Sequence, residues 1–140
     1  MELQVVRLNK KAKIPTYAHD TDAGMDLFAA AEVSLAPGER SQIPTGIALA
    51  VPKGFVGLVW DKSGLSHRCG LKTLGGVVDA DYRGEIVVGM VNLGEETYVF
   101  KEGDKVAQIL IQKVEHADLV EVDTLDETIR GEKGFGSTGN

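Results

Sequence analysis

The chain has 140 residues, a single cysteine and a formal net charge of −6. That length suits one domain, which buries roughly 68% of its unfolded surface and so forms a core without disulfides or structural metal. The negative charge argues against a nucleic-acid polymer or an anionic membrane as partner, because both reward a basic face; a small anion needs only local positive charge.

Cys69 stands alone, so no intrachain disulfide forms, and the usage fits a reducing compartment. His19, His67 and His116 are scattered without metal-ligand spacing. No run approaches the ~18 to 20 apolar residues of a membrane span. Met1-Glu2-Leu3-Gln4 lacks the basic and apolar regions of a signal peptide, and an intracellular location, cytoplasmic or nuclear, is the expectation.

In chain order, strands are predicted at Leu3 to Leu8, Met25 to Ala30, Glu32 to Leu35, Arg40 to Ile43, Gly46 to Val51 and Phe55 to Trp60. A central hairpin follows, then Tyr98 to Phe100, Val106 to Val114 and Leu119 to Val122. Breakers separate them at Pro15, Pro37-Gly38, Pro44, Pro52-Lys53-Gly54, Gly94 and Gly103. No segment keeps a 3.6-residue apolar period over three turns, so at most one short helix is expected, around Gly64 to Arg68. Many short strands with turns between them predict an all-β sandwich, jelly roll or barrel.

Five stretches carry chemistry. At Asp22-Ala23-Gly24-Met25-Asp26-Leu27, Asp26 heads a strand, where its carboxylate either holds a metal-bound water or caps a turn. Asp61-Lys62-Ser63-Gly64-Leu65 sets a cation, a hydroxyl and a glycine at a strand end; it offers donors to a phosphate, or Ser63 serves as an ordinary N-cap. The predicted hairpin pairs Val77-Val78 with the run Ile86 to Val91 around Asp79-Ala80-Asp81-Tyr82-Arg83-Gly84. Two carboxylates, a phenol and a guanidinium exceed the needs of a turn, although a solvated turn whose aspartates bond their own backbone accounts for them too. Gln108 lies on an apolar strand and either faces outward or needs a partner for its amide. Last, Arg130 to Asn140 is glycine-rich with one aromatic, Phe135. Its backbone N–H groups, with Arg130, Lys133, Ser137 and Thr138, suit a phosphate cradle, although glycine-rich ends commonly fray. Phe135 offers a ring for a flat base.

Taken together, these stretches resemble the five ordered motifs of the trimeric dUTPase family: AGMDL at 23–27, KSGL at 62–65, GVVDADYRG at 76–84, GDKVAQ at 103–108 and RGEKGFGSTG at 130–139. The resemblance implies a jelly-roll, β-clip domain over residues 1–129, a flexible C-terminal arm over 130–140 acting as a lid, and a homotrimer with shared active sites. It implies hydrolysis of dUTP to dUMP and pyrophosphate with Mg²⁺, which limits uracil in DNA and supplies dUMP for dTMP synthesis. By the same resemblance, Asp79 is the general base for water attack on the α-phosphorus, and Tyr82 packs on the deoxyribose. Gly76, Val77 and Val78 pair with the uracil edge and Phe135 stacks on it. Lys62, Ser63, Gly64, Gln108, Arg130, Gly136, Ser137 and Thr138 serve the phosphates, and Asp26 orients water on the metal.

The chain departs from the family pattern at three positions. Asp61 and Lys62 stand where proline and arginine are usual, and Lys105 replaces an arginine. Lysine keeps the charge and loses the planar fork. Asp61 adds negative charge beside the phosphate residues, where it either weakens binding or pairs with Lys62. Two alternatives share the fold: a dCTP deaminase relative, disfavoured by the DADY and GFGSTG sequences, and a dUTP-binding regulatory protein, disfavoured by the retained Asp79.

Overall fold

A computed structural model describes residues 1–134. Its elements, in chain order, are β1 (Gln4–Arg7), β2 (Met25–Phe28), β3 (Val33–Leu35), β4 (Arg40–Ala50), β5 (Phe55–Trp60), α1 (Ser63–Cys69), β6 (Leu71–Leu74), β7 (Val77–Val78), β8 (Glu85–Asn92), β9 (Tyr98–Phe100) and β10 (Lys105–Lys113). The apolar alternation that predicts strands is visible as burial: along β8, Ile86, Val88 and Met90 point inward while Val87 is exposed. One sheet has the order β1-β4-β8-β6 and a second β2-β10-β5-β7, with β3 and β9 forming a small ribbon. All pairings are antiparallel. The core between the sheets includes Leu27, Ile43, Ile47, Leu49, Met90, Phe100, Val106 and Ile109, all essentially inaccessible. This is a jelly roll of the β-clip kind, with one short helix, as expected.

Four local expectations need correction. Arg40 to Ile43 and Gly46 to Val51 are one strand, β4, not two. Pro44 does not end it, because the register against β8 slips between Pro44 and Ala48, and at such an irregularity no ladder N–H is required of the proline. The slip is held by Thr45 Oγ1 donating to the Ile86 carbonyl and by Gly46 N–H donating to Glu85 Oε1 at 2.7 Å. Leu119 to Val122 forms no strand, and Leu119, Val120, Val122, Leu125 and Ile129 all lie exposed. Leu71–Leu74, which carries Lys72 and Thr73 between its leucines, is a strand that was not predicted.

The fourth correction matters most for function. Val77-Val78 and the run from Ile86 do not pair as a hairpin. β7 pairs with β5 in one sheet, whereas β8 lies between β4 and β6 in the other. Gly75 and Gly76, at φ 70° and 111°, turn the chain away from β6, so the two arms splay and residues 79–84 cross between sheets.

Candidate active site

Splayed arms leave a gap, and the gap is a cavity of about 380 Å³. Gly76, Val77, Val78, Asp79 and Tyr82 line it, with Val59, Glu85, Ile86 and Val87. Its size falls within the range of small-ligand pockets. Gly76 is required where it stands: a Cβ there would come 2.6 Å from the Val59 carbonyl oxygen, and the Gly76 carbonyl accepts from Val59 N–H at 2.8 Å. β7 is the last strand of its sheet, so one side of its backbone is not used in pairing with β5.

The crossing loop is braced by its own residues. Tyr82 N–H donates to the Asp79 carbonyl at 3.1 Å, and the Tyr82 hydroxyl donates to the Glu85 carbonyl at 2.9 Å. Arg83 turns back on the loop, donating to the Ala80 and Tyr82 carbonyls at 2.8 Å each. Asp79 and Tyr82 are themselves exposed where they line the cavity. Gln42, on β4, completes the lining and was not anticipated, since its position in the register beside Gly89 is visible only once β4 and β8 are paired.

Asp26, Lys62, Lys105 and Gln108 form a second cluster, built on β10. Gln108 lies opposite Asp26 on β2 and Trp60 on β5. A bulge between Lys105 and Ala107 lets Val106 and Ala107 both reach the core and brings Lys105 onto the Gln108 side. Asp26 is buried, and both its oxygens meet ammonium groups: Lys62 Nζ donates to Oδ1, and Lys105 Nζ stands 2.7 Å from Oδ2. Asp26 Oδ2 accepts no hydrogen bond of normal angular geometry, so the Lys105 contact is an ion pair. Gln108 is half-buried and has its partner, donating through Nε2 to the Asp61 carbonyl at 3.0 Å. Asp61 does not pair with Lys62; it binds Lys72 and Thr73 on β6.

Ser63 is not the N-cap. Lys62 takes that place in extended conformation and makes no side-chain cap, so Ser63 and Gly64 fall in the first turn, whose N–H groups have no partner inside the helix. The cavity shared by Asp79 and Tyr82 is lined by none of Lys62, Ser63, Gly64 or Gln108. Arg130 is exposed and is not part of the cavity lining, its Nε donating to the Lys133 carbonyl at 2.9 Å. Phe135, Gly136, Ser137 and Thr138 lie outside the described residues.

Among the described residues, no group of three or more His, Cys, Asp or Glu side chains is arranged to hold a metal ion. Asp26 is a single buried carboxylate already engaged by two lysines. Such a donor set fits Mg²⁺ only as an ion that brings water and substrate oxygens as its ligands.

Burial works against the charge on Asp26 and Asp61, but hydrogen bonds and charges outweigh it: Lys105 and Lys62 hold Asp26 below the ordinary carboxylate range, and Lys72 and Thr73 do the same for Asp61. Both groups titrate near ~3.9 in the unfolded chain. A folded value below that means stability present in full above the unfolded value and lost as pH falls through the folded one. At fixed protein concentration, the urea midpoint is expected to hold to about pH 5 and fall below about pH 4, less steeply in Asp26→Asn. A wild-type midpoint unchanged down to pH 3 would contradict these ion pairs.

The domain is a jelly roll that carries a cavity of small-ligand size and, apart from it, a cluster of two lysines and a glutamine amide around a buried carboxylate. A family model described as dUTPase matches residues 10–139. The deoxyuridine 5'-triphosphate nucleotidohydrolase of Mycobacterium sp. (strain JLS) is 50% identical over 145 residues, spanning 98% of this chain and 94% of its own. That of Corynebacterium glutamicum is 49% identical, with the same coverage of 98% and 94%. A dUTPase variant of Staphylococcus bacteriophage 80alpha, solved with dUpNHpp, superposes with a TM-score of 0.93 at 32% identity over 99% of both chains. A dUTPase variant of phage phi11, whose structure shows coordination of a structural Mg(II) ion, gives 0.83 at 31% identity over 89% of this chain and 98% of its own. The chain belongs to the dUTPase family, and it is an enzyme, a hydrolase of nucleotide metabolism.

Proposed function

We propose that this enzyme hydrolyses dUTP to dUMP and pyrophosphate, with the Asp79 carboxylate as general base, so limiting uracil in DNA and supplying dUMP for dTMP synthesis. The observation that carries the proposal is the single cavity joining Asp79 and Tyr82 to the edge strand β7. The free backbone side of Val77 and Val78, with Gly76 beside it, suits the N–H and C=O pattern of a uracil edge. Packing this close to the base leaves no room for a thymine methyl. Tyr82, held by its hydroxyl to Glu85, sets its ring as a floor for deoxyribose and excludes a 2'-hydroxyl.

Asp79 takes a proton from a water molecule as the water's oxygen bonds to the α-phosphorus. The bond from that phosphorus to the bridging oxygen breaks, and pyrophosphate leaves. Lys62, Ser63, Gly64 and Gln108 hold the phosphates, joined by Arg130, Gly136, Ser137 and Thr138 from the 130–140 arm, while Phe135 covers the base. Mg²⁺ would arrive with the triphosphate and supply neutralising charge, and Asp26 is the residue that would orient its water.

A homotrimer with sites shared between copies is part of the proposal. Within one chain the phosphate cluster and the nucleoside cavity are separate, and five apolar side chains between Leu119 and Ile129 are exposed, as segments that pack on a neighbouring copy would be. Replacing Tyr82 with alanine should narrow the preference for dUTP over UTP by about tenfold or more, measured as the ratio of kcat/KM values. Unchanged discrimination would place sugar selection elsewhere.

A further inference from the structure

α1 has seven residues and none fully buried, so neither intrinsic helix stability nor deep core packing fixes it. Yet it carries Ser63 and Gly64, and the residue before it is Lys62. Leu65 and Cys69 rest against the core, and Asp61 anchors the start of the unit. Its Oδ1 accepts from both the backbone N–H and the hydroxyl of Thr73, at 2.7 and 2.8 Å, and its Oδ2 accepts from Lys72 Nζ at 2.7 Å. Its carbonyl accepts from Gln108 at 3.0 Å. Because β6 belongs to one sheet and β5 and β10 to the other, these bonds tie the two sheets together at the base of α1.

We infer that Asp61 is a positioning residue for the phosphate site: its carboxylate clamps the Lys62–Gly64 segment to β6, while its carbonyl orients the Gln108 amide. In this chain, where the family pattern has proline, hydrogen bonds set the entry to the segment. The added negative charge is spent on Lys72 and Thr73, leaving Lys62 free to face Asp26. The inference rests on the proposal that Lys62–Gly64 and Gln108 bind phosphate.

The test compares wild type, Asp61→Ala and Asp61→Asn for dUTP hydrolysis and for inhibition by deoxyuridine, which has no phosphate. Asp61→Ala should raise KM for dUTP by about tenfold or more, as loss of several bonds to a charged acceptor predicts. Its inhibition by deoxyuridine should stay within about twofold of wild type, because the nucleoside cavity is separate; a general loss of structure would weaken both. Asp61→Asn keeps an oxygen for Thr73 and should recover most of the affinity. Unchanged KM in Asp61→Ala, equal losses in Ala and Asn, or a parallel loss of deoxyuridine inhibition would each overturn the inference. If Asp61→Ala does not fold, Thr73→Val, which deletes one of the bonds, should raise KM by about threefold with deoxyuridine inhibition intact; no change there overturns it equally. Failure of the wild type to cleave dUTP strikes the function itself, and the inference with it.

Discussion

Asp79→Asn should retain the fold and dUTP binding while losing about 10² to 10⁴ in turnover, the usual scale for removal of a general base. The substitution is nearly isosteric, and Asp79 is exposed at the end of β7, so little packing depends on it. Its structural contribution is its carbonyl, which accepts from Tyr82 N–H and is unchanged in asparagine. What the proposed mechanism would lose is a carboxylate able to take a proton at the cavity. Thermal unfolding, dUTP binding and pyrophosphate release measured on one preparation separate these effects. Turnover within about threefold of wild type would remove Asp79 from the role, since a general base contributes far more.

Truncation after Ile129 should be comparably severe for activity and nearly silent for the fold. The described part of the arm bonds only locally: Arg130 Nε to the Lys133 carbonyl, Lys133 N–H to the Arg130 carbonyl, and Gly131 N–H to Thr128 just before it. None of the arm's described residues contributes a side chain to the core. Removed with the arm are a guanidinium, two hydroxyls, a run of glycine N–H groups and the Phe135 ring. Donors to a charged phosphate contribute about 1.5 to 3 kcal/mol each, so losing two or three lowers kcat/KM by about 10² or more. Sedimentation should show the same assembly as the full chain. If the truncated enzyme keeps full activity, the arm is no lid.

Much of the candidate site was legible from residue type and order, because carboxylates, a phenol ring, cations and an amide are chemically distinctive and fall in compact stretches. Asp26, Lys62 and Gln108 were all picked out individually. Their convergence was not, since it depends on β10 lying between β2 and β5 and on a bulge that no local pattern announces. The supposed hairpin shows the same limit. Val77-Val78 and Ile86 to Val91 have the composition of paired arms, but composition does not choose partners, and two left-handed glycines send the arms to different sheets. Pro44 misled in the opposite direction, because a proline at a register slip interrupts nothing. Leu119 to Val122 has strand composition but forms no strand, and its apolar side chains lie exposed among the described residues. Asp61 looked like a liability beside a phosphate site until β6, an unpredicted strand, supplied its partners.

The most direct test of the central claim is pyrophosphate release from dUTP, dCTP, dTTP and UTP by the purified protein, each with Mg²⁺ and with a chelator. The account predicts release from dUTP alone, dependent on the metal, with dUMP as the second product. Cleavage of all four nucleotides would contradict the selectivity assigned to Tyr82 and β7. Binding of dUTP without cleavage would contradict the enzyme mechanism and make the protein a dUTP-responsive switch.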